Sequence, residues 1–349
     1  MKKKLIIIIL AIIIAVGGSA FYYNHAINSA TGTNETVVVT VDAGDTCHKM
    51  ITKLSQSGLI ESTLAAKVYV KFHPTTLKAN TYKLNKNMNF KQMLAIMHTA
   101  NTKYVVNNKL TVKEGTTLSQ IAIDVAACLT KIQKKTVTPE EVLKQWSDTN
   151  YLNTLMSKYW FIKADTQKAG IKYPLEGYFY PETYYINEKN ATLDTITTKL
   201  LDAMNTKLTP YQSSMTALNY TPHQFLTLSS IVERESLFDA DRPKIAGVFM
   251  NRLKKNMYLQ SDVTVNYALG RTGVKVSHKM LKTKSPYNTY LHKGLPIGPV
   301  ATVSQKTLEA VAHYTPSDYY YFFAKKDGTV IYSKTYKEHQ KAVKENKWY

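Results

Sequence analysis

Two glutamates two positions apart, Glu233 and Glu235 in "LSSIVERESLF" (228–238), are the side chains whose type and setting most invite a chemical reading. The run around them is apolar with a helical period, so the two carboxylates cannot share one face. "TPHQFLTLSSIVERESLF" has a strong helix start: Thr221 as N-cap, Pro222 at the first helical position, and Gln224 completing a capping box. At about 100° per residue, Phe225, Leu228, Ile231 and Val232 fall on one stripe, and Glu235 projects from its middle. Glu233 points well away from the stripe, beside Ser229, which predicts an ordinary surface or rim carboxylate. Glu235 is the anomaly. An ionised carboxylate on an apolar face is costly, so its pKa rises or it finds a partner. A raised pKa is what a general acid working near neutral pH needs. The competing reading is a salt bridge, with Arg242 or Arg252 as partner.

The elements that must position this helix belong to a chain of 349 residues, long enough for two or three compact units. Hydrophobic residues make up 44%, enough for a sizeable core. The formal net charge of +20 implies an anionic neighbour. "MKKKLIIIILAIIIAVGGSAFYY" says where that neighbour is. Residues 5–23 give about 28 Å of apolar helix, close to the hydrocarbon thickness of a bilayer. Three lysines precede it, so residues 1–4 stay cytoplasmic and the remainder is exported, with Phe21, Tyr22 and Tyr23 at the outer interface. A signal peptide cleaved after Gly18-Ser19-Ala20 is the alternative. Export, and the lack of zinc-finger spacing, RNA-binding signature or phosphate-cradling Gly-rich loop, argue against a nucleic-acid partner. No His/Cys/Asp cluster has metal-ligand spacing, and no cofactor is expected. Cys47 and Cys128 sit in apolar contexts and read as buried free thiols, a single disulfide being the alternative.

Residues 24–36 are polar and aperiodic and predict a flexible linker. "VTVDAGDTCHKMI" and "LTVKEGTTLSQIA" then repeat one outline: a short strand, a Gly turn, a Thr and an amphipathic helix. That outline resembles the opening of LysM-type carbohydrate-binding modules and marks 37–103 as a LysM-like region. Thr117 is the expected cap of the second helix.

Six ordered segments carry a wider resemblance: "LEGYFYPETYYI" (175–186), "SSIVERES" (229–236), "DRPKIAGVFMNRL" (241–253), "MYLQSDVTVNYALG" (257–270), "SPYNTYLHKGLPIGP" (285–299) and "YYYFFAKKDGTVIYSKTYKEH" (319–339). With these the sequence resembles the endolytic murein transglycosylase family, also called YceG-like. It departs at Leu295-Pro296-Ile297-Gly298, at Thr302-Val303-Ser304, and at Gln260-Ser261-Asp262-Val263-Thr264, which bears on loop conformation more than on chemistry. The resemblance implies an α+β protein with a single N-terminal transmembrane helix, the LysM-like subdomain, and a mixed catalytic domain over 104–349. It implies that Glu235 is the catalytic acid/base. The C6 hydroxyl of N-acetylmuramic acid attacks its own C1, giving a 1,6-anhydro sugar without water, so one residue serves both proton transfers. Positioning would fall to Glu176 and Glu182 around an aromatic run, to the polar turn Gln260, Ser261 and Asp262, and to Tyr287, Asn288 and Thr289, while Arg252 would tune or hold the acid. The implied partners are glycan strands of peptidoglycan at the outer membrane face, whose elongation the cut ends, and cell-wall synthases with their elongation or division machinery. A non-catalytic wall-binding scaffold is the alternative from another class. Hydrolysis would need a second carboxylate facing Glu235, with Asp262 or Glu176 as candidates.

Overall fold

The computed structural model describes residues 2–106, 108–186, 190–271 and 276–346, the side chains of 2–13 excepted. The chain divides into two units, Met1–Asn108 and Lys109–Tyr349.

The first unit runs α1 (Lys2–Asn28), β1 (Thr36–Val41), α2 (Cys47–Gln56), α3 (Thr63–Phe72), β2 (Asn80–Asn85) and α4 (Phe90–Thr99). Each of the three short helices begins where its sequence supplies a cap. Thr46, Ser62 and Asn89 accept from the backbone N–H three residues on, and Asn89 forms a full capping box with Gln92. β1 and β2 are antiparallel, from Thr36↔Asn85 to Val41↔Asn80. Alternation puts Val39, Val41, Tyr82 and Leu84 on the face that meets Leu54, Met93 and Met97. The linker expected over 24–36 is not a free stalk. Residues 24–28 continue α1, Ala26 and Ile27 are buried in this core, and the N–H groups of Thr31 and Gly32 donate to the Lys86 carbonyl. A polar average over thirteen residues hid two apolar side chains that have a core to join. Among the described residues no helix is long and apolar enough to cross a membrane. Much of the span expected over 5–23 rests on residues 5–13, whose side chains lie outside the description.

The second unit is mixed α+β and mostly helical. It begins with β3 (Lys109–Thr111), α5 (Leu118–Gln133), α6 (Pro139–Trp146), α7 (Thr149–Lys158) and β4 (Thr183–Tyr185). Helices α8 (Leu193–Leu208), α9 (Gln212–Leu218), α10 (Pro222–Glu235), α11 (Arg242–Lys254), α12 (Asp262–Ala268), α13 (His278–Leu281) and α14 (Gln305–Ala312) follow. The ribbon β5 (Tyr321–Ala324) and β6 (Val330–Ser333) and the helix α15 (Tyr336–Asn346) close the chain. The second strand–turn–helix copy lies here: β3 pairs with β4 (Lys109↔Tyr185) rather than within a LysM-like hairpin. Gly177 pins the loop that leads to β4. Its φ is +79°, and an added Cβ would lie 2.5 Å from Pro299 Cβ, so only glycine fits the approach. Trp146, Phe161, Tyr178, Phe179, Phe225 and Ile231 are fully buried in one core that surrounds α10.

Candidate active site

Helix α10 starts as its sequence dictates, with Thr221 and Gln224 forming the reciprocal cap and Pro222 in the first turn. It ends at Glu235, because Ser236 turns to extended backbone with φ −101° and ψ 119°. From Phe225 through Glu233 every residue is buried, so α10 has no solvent face for most of its length. That overturns the expectation for Glu233. It is 7% exposed, its Oε1 lies 3.0 Å from Arg242 Nη1, and its Oε2 accepts from the Ser304 N–H at 2.9 Å and the Ser304 hydroxyl at 2.7 Å. A single apolar stripe implies one buried side, whereas α11 and α14 both pack on α10 and cover the second. Arg242 is thereby committed to Glu233 and Asp239. Arg252 donates to the carbonyls of Tyr320 and Leu259 and lies over the Tyr321 ring at 4.9 Å. Glu235 forms an ion pair with neither, among the described residues.

Glu235 lines a cleft of about 520 Å³, opened between the ends of α10 and α11, the turn at Leu259–Val263, Tyr290, the β5 edge and α15. Its Oε1 accepts a 2.5 Å hydrogen bond from Ser261 Oγ. Burial raises its pKa to about 7; the Ser261 hydrogen bond opposes this, the Asp262 charge adds to it, and Arg252 and Arg234 pull it back. Its place at the C-terminal end of α10 works in the same direction as burial, since the carbonyl end of a helix disfavours an added negative charge. The result is a carboxyl poised to give a proton near neutral pH and to take one back.

The turn that holds this acid is over-determined. Gln260 adopts the left-handed region with φ +52°, uncommon for a side chain with a Cβ, and its N–H reaches the Thr289 carbonyl at 3.2 Å. The next N–H, of Ser261, donates to Thr289 Oγ1 at 3.0 Å, and that oxygen lies 2.9 Å from Thr264 Oγ1. Ser261 Oγ is thus aimed at Glu235 by the backbone on either side of it. Asp262 lines the same cleft and accepts from Tyr290 Oη at 2.6 Å. Burial raises its pKa while that hydrogen bond resists.

The remaining expected site residues fall into different roles. Gln260 and Asp262 reach the cleft, and Ser261 holds the acid. Thr289 is buried behind the turn. Asn288, fully buried, donates its amide to the carbonyls of Leu281 and Thr283 and braces its loop. Tyr287 accepts from the Lys172 N–H and packs on Tyr267. Glu176 is 1% exposed and lies outside the cleft. Its Oε1 accepts from the Leu118 N–H at 2.8 Å and its Oε2 from Tyr267 Oη at 2.9 Å. It therefore replaces the expected cap of α5: Thr117 makes no side-chain cap and its hydroxyl meets Ser119 Oγ instead. Glu182 is exposed beside β4, where its backbone carbonyl accepts from the Val112 N–H. The cleft also recruits groups the sequence reading passed over: Tyr290, Tyr321, Tyr336 and His339. The His339 ring stacks on Tyr321 at 5.4 Å, and Tyr321 in turn faces the Arg252 guanidinium. Their sequence signal is membership of two of the six ordered segments, Tyr290 in 285–299 and the other three in the aromatic and basic run 319–339. Cys47 and Cys128 are free thiols.

Fold and site together define an α+β protein whose Glu235 carboxyl stands at an open polar and aromatic cleft with its pKa raised, the arrangement of an acid/base catalyst. A family model described as the YceG-like family matches residues 39–345, and the chain belongs to that family. It is 37% identical over 309 residues to an endolytic murein transglycosylase of Bacillus subtilis, covering 88% of this chain and 84% of that protein. A Streptococcus pneumoniae protein of the same name is 34% identical over 322 residues, covering 89% of this chain and 58% of that longer protein. The crystal structure of a YceG-like protein from Listeria monocytogenes superposes with a TM-score of 0.64 at 37% identity, covering 89% of this chain and all of that one.

Proposed function

We infer that this chain is an endolytic murein transglycosylase, cutting glycan strands of peptidoglycan between N-acetylmuramic acid and N-acetylglucosamine and leaving 1,6-anhydro ends. The observation that carries this reading is the Glu235 carboxyl, held by Ser261 in an open cleft with its pKa pushed up to about 7. Protonated, it gives its proton to the departing glycosidic oxygen. As carboxylate, it takes the proton of the C6 hydroxyl while that oxygen closes on C1. Proximity of nucleophile and electrophile within one sugar stands in for a second carboxylate. Ser261 keeps Oε1 in place through both steps, and Asp262 and Gln260, which line the cleft, would meet the hydroxyl and N-acetyl groups of the sugars on either side. The names of the relatives support the same substrate.

The apolar run 5–23 supports attachment to the membrane by a single helix, with residues 1–4 cytoplasmic and the chain from residue 24 onward on the outer face, where nascent strands and their synthases are. Cutting there would end strand elongation. The discriminating experiment is mass spectrometry of strands digested by the purified chain. Anhydro-muramic ends are expected. Reducing ends would make Asp262 the base of a hydrolase instead, and the absence of cleavage would leave a wall-binding scaffold.

A further inference from the structure

The segment "LTVKEGTTLSQIA" (110–122), conspicuous for its carbohydrate-binding outline, has no part in the site described above. Its turn lines a second cleft, of about 420 Å³, in the same unit as Glu235. Gly115, with φ +65°, turns the chain so that its carbonyl accepts from Arg234 Nη1 at 2.9 Å. Arg234 is the residue next to the acid, so this hydrogen bond ties the turn to the end of α10. Arg234, Val263 and Asn266 line both clefts, which makes the second one a continuation of the first.

The charge of the continuation is one-sided. Lys113, Lys172, Arg234 and Arg271 line it against a single carboxylate among the described residues, Glu114. All four cations are exposed, and none of them forms an ion pair among the described residues. Lys172 Nζ lies over the rings of Tyr173 and Tyr267 at 5.8 and 5.3 Å, so cation and aromatic surface occur together. Neutral sugars give such a set of cations nothing to pair with. The anionic groups of a murein strand are the carboxylates of the short peptides carried on its muramic acid residues. We propose that this cleft is a subsite for a peptide-bearing muramic acid of the strand, its cations meeting the stem-peptide carboxylates while Glu235 works on the adjoining linkage. The proposal rests on the reading of the chain as a murein-cleaving enzyme.

The test separates the two. Uncrosslinked strands carrying their stem peptides are compared with strands of the same length stripped of peptide by an amidase, which keep only the lactyl carboxylate on the sugar. Binding is measured with the full chain carrying Glu235→Gln, and cleavage with the chain of natural sequence. The stem-peptide strands should bind about fivefold tighter, the size expected of a few solvent-exposed charge pairs. The double substitution Lys113→Ala/Arg271→Ala should erase most of that difference, raising KM for peptide-bearing strands with kcat unchanged and weakening stripped strands, with their lactyl carboxylate alone, much less. The preference should also fade as salt is raised. Equal binding of both strands by the parent, or an equal loss on both in the variant, overturns the proposal. Because binding is read without turnover, a failure to cleave either strand counts against the enzymatic reading and leaves the subsite test standing.

Discussion

The two glutamates of α10 differ in what their carboxylates can do, and the difference is testable one atom at a time. Glu235→Gln is nearly isosteric and can still accept from Ser261, but it can neither give nor recover a proton. Cleavage should drop about 10²–10⁴-fold with the fold intact. Glu233→Gln should show the reverse pattern. It weakens a buried pair with Arg242, and a loss of about 3 kcal/mol in unfolding free energy is expected while folded molecules keep most of their kcat. Equal loss of turnover in the two variants would refute the assignment. The pH dependence has a definite sign as well. Glu235 titrates near 7 in the folded chain against an ordinary value of 4.5. The competent acid therefore predominates below about pH 7, and the rate of the first step should fall as pH rises above it. The same shift means that its contribution to stability is fully present below pH 4.5 and is lost as pH rises through about 7. Glu235→Gln, neutral throughout, should gain thermal stability over the parent at pH 8–9 and not at pH 4.

At the scale of elements, the site depends on how α5, α10 and α12 begin and end. Helix α5 lacks a side-chain cap of its own and borrows the carboxylate of Glu176, 58 residues away, which also receives the Tyr267 hydroxyl of α12. Burial holds the Glu176 pKa up at about 7 against the pull of those two donors. Glu176→Ala would strand the Leu118 N–H and the Tyr267 hydroxyl, at a cost of about 1–3 kcal/mol for each unsatisfied group. Chemical denaturation should report that loss, with kcat nearly unchanged, since Glu176 does not line the Glu235 cleft. A collapse of kcat with stability kept would instead make Glu176 part of the chemistry.

On the scale of the whole molecule, attachment should reside in the first helix. Surface charges act over about 8 Å at physiological ionic strength, whereas a spanning helix is held by its whole apolar length. The full chain should therefore resist extraction by high salt and yield to detergent. A chain beginning at Phe21 retains Tyr23, Ala26 and Ile27 for the first unit's core, and should be soluble and still cut strands. Recovery of the mature protein from the medium with Phe21 as its first residue would show a cleaved leader in place of an anchor. Because both cysteines are free thiols, reductant should leave the unfolding temperature unchanged.

Local sequence carried a good deal of this. The α10 start follows from Thr221, Pro222 and Gln224 alone, because a capping box closes within four residues. The oddity of Glu235 follows from one helical period, and the six ordered segments led to the family. What a period cannot say is how many sides of a helix are covered. Glu233 is buried because α14 and the Ser304 N–H arrive from 71 residues away. In the same way Glu176 had the composition of a sugar-binding carboxylate, and only the tertiary structure made it the cap of a distant helix. The tertiary structure also decided that Ser261, rather than an arginine, holds the acid, and that the turn at Gly115 lies beside it. These are meetings between segments remote in the chain, set by the packing of whole elements, and no local pattern encodes them.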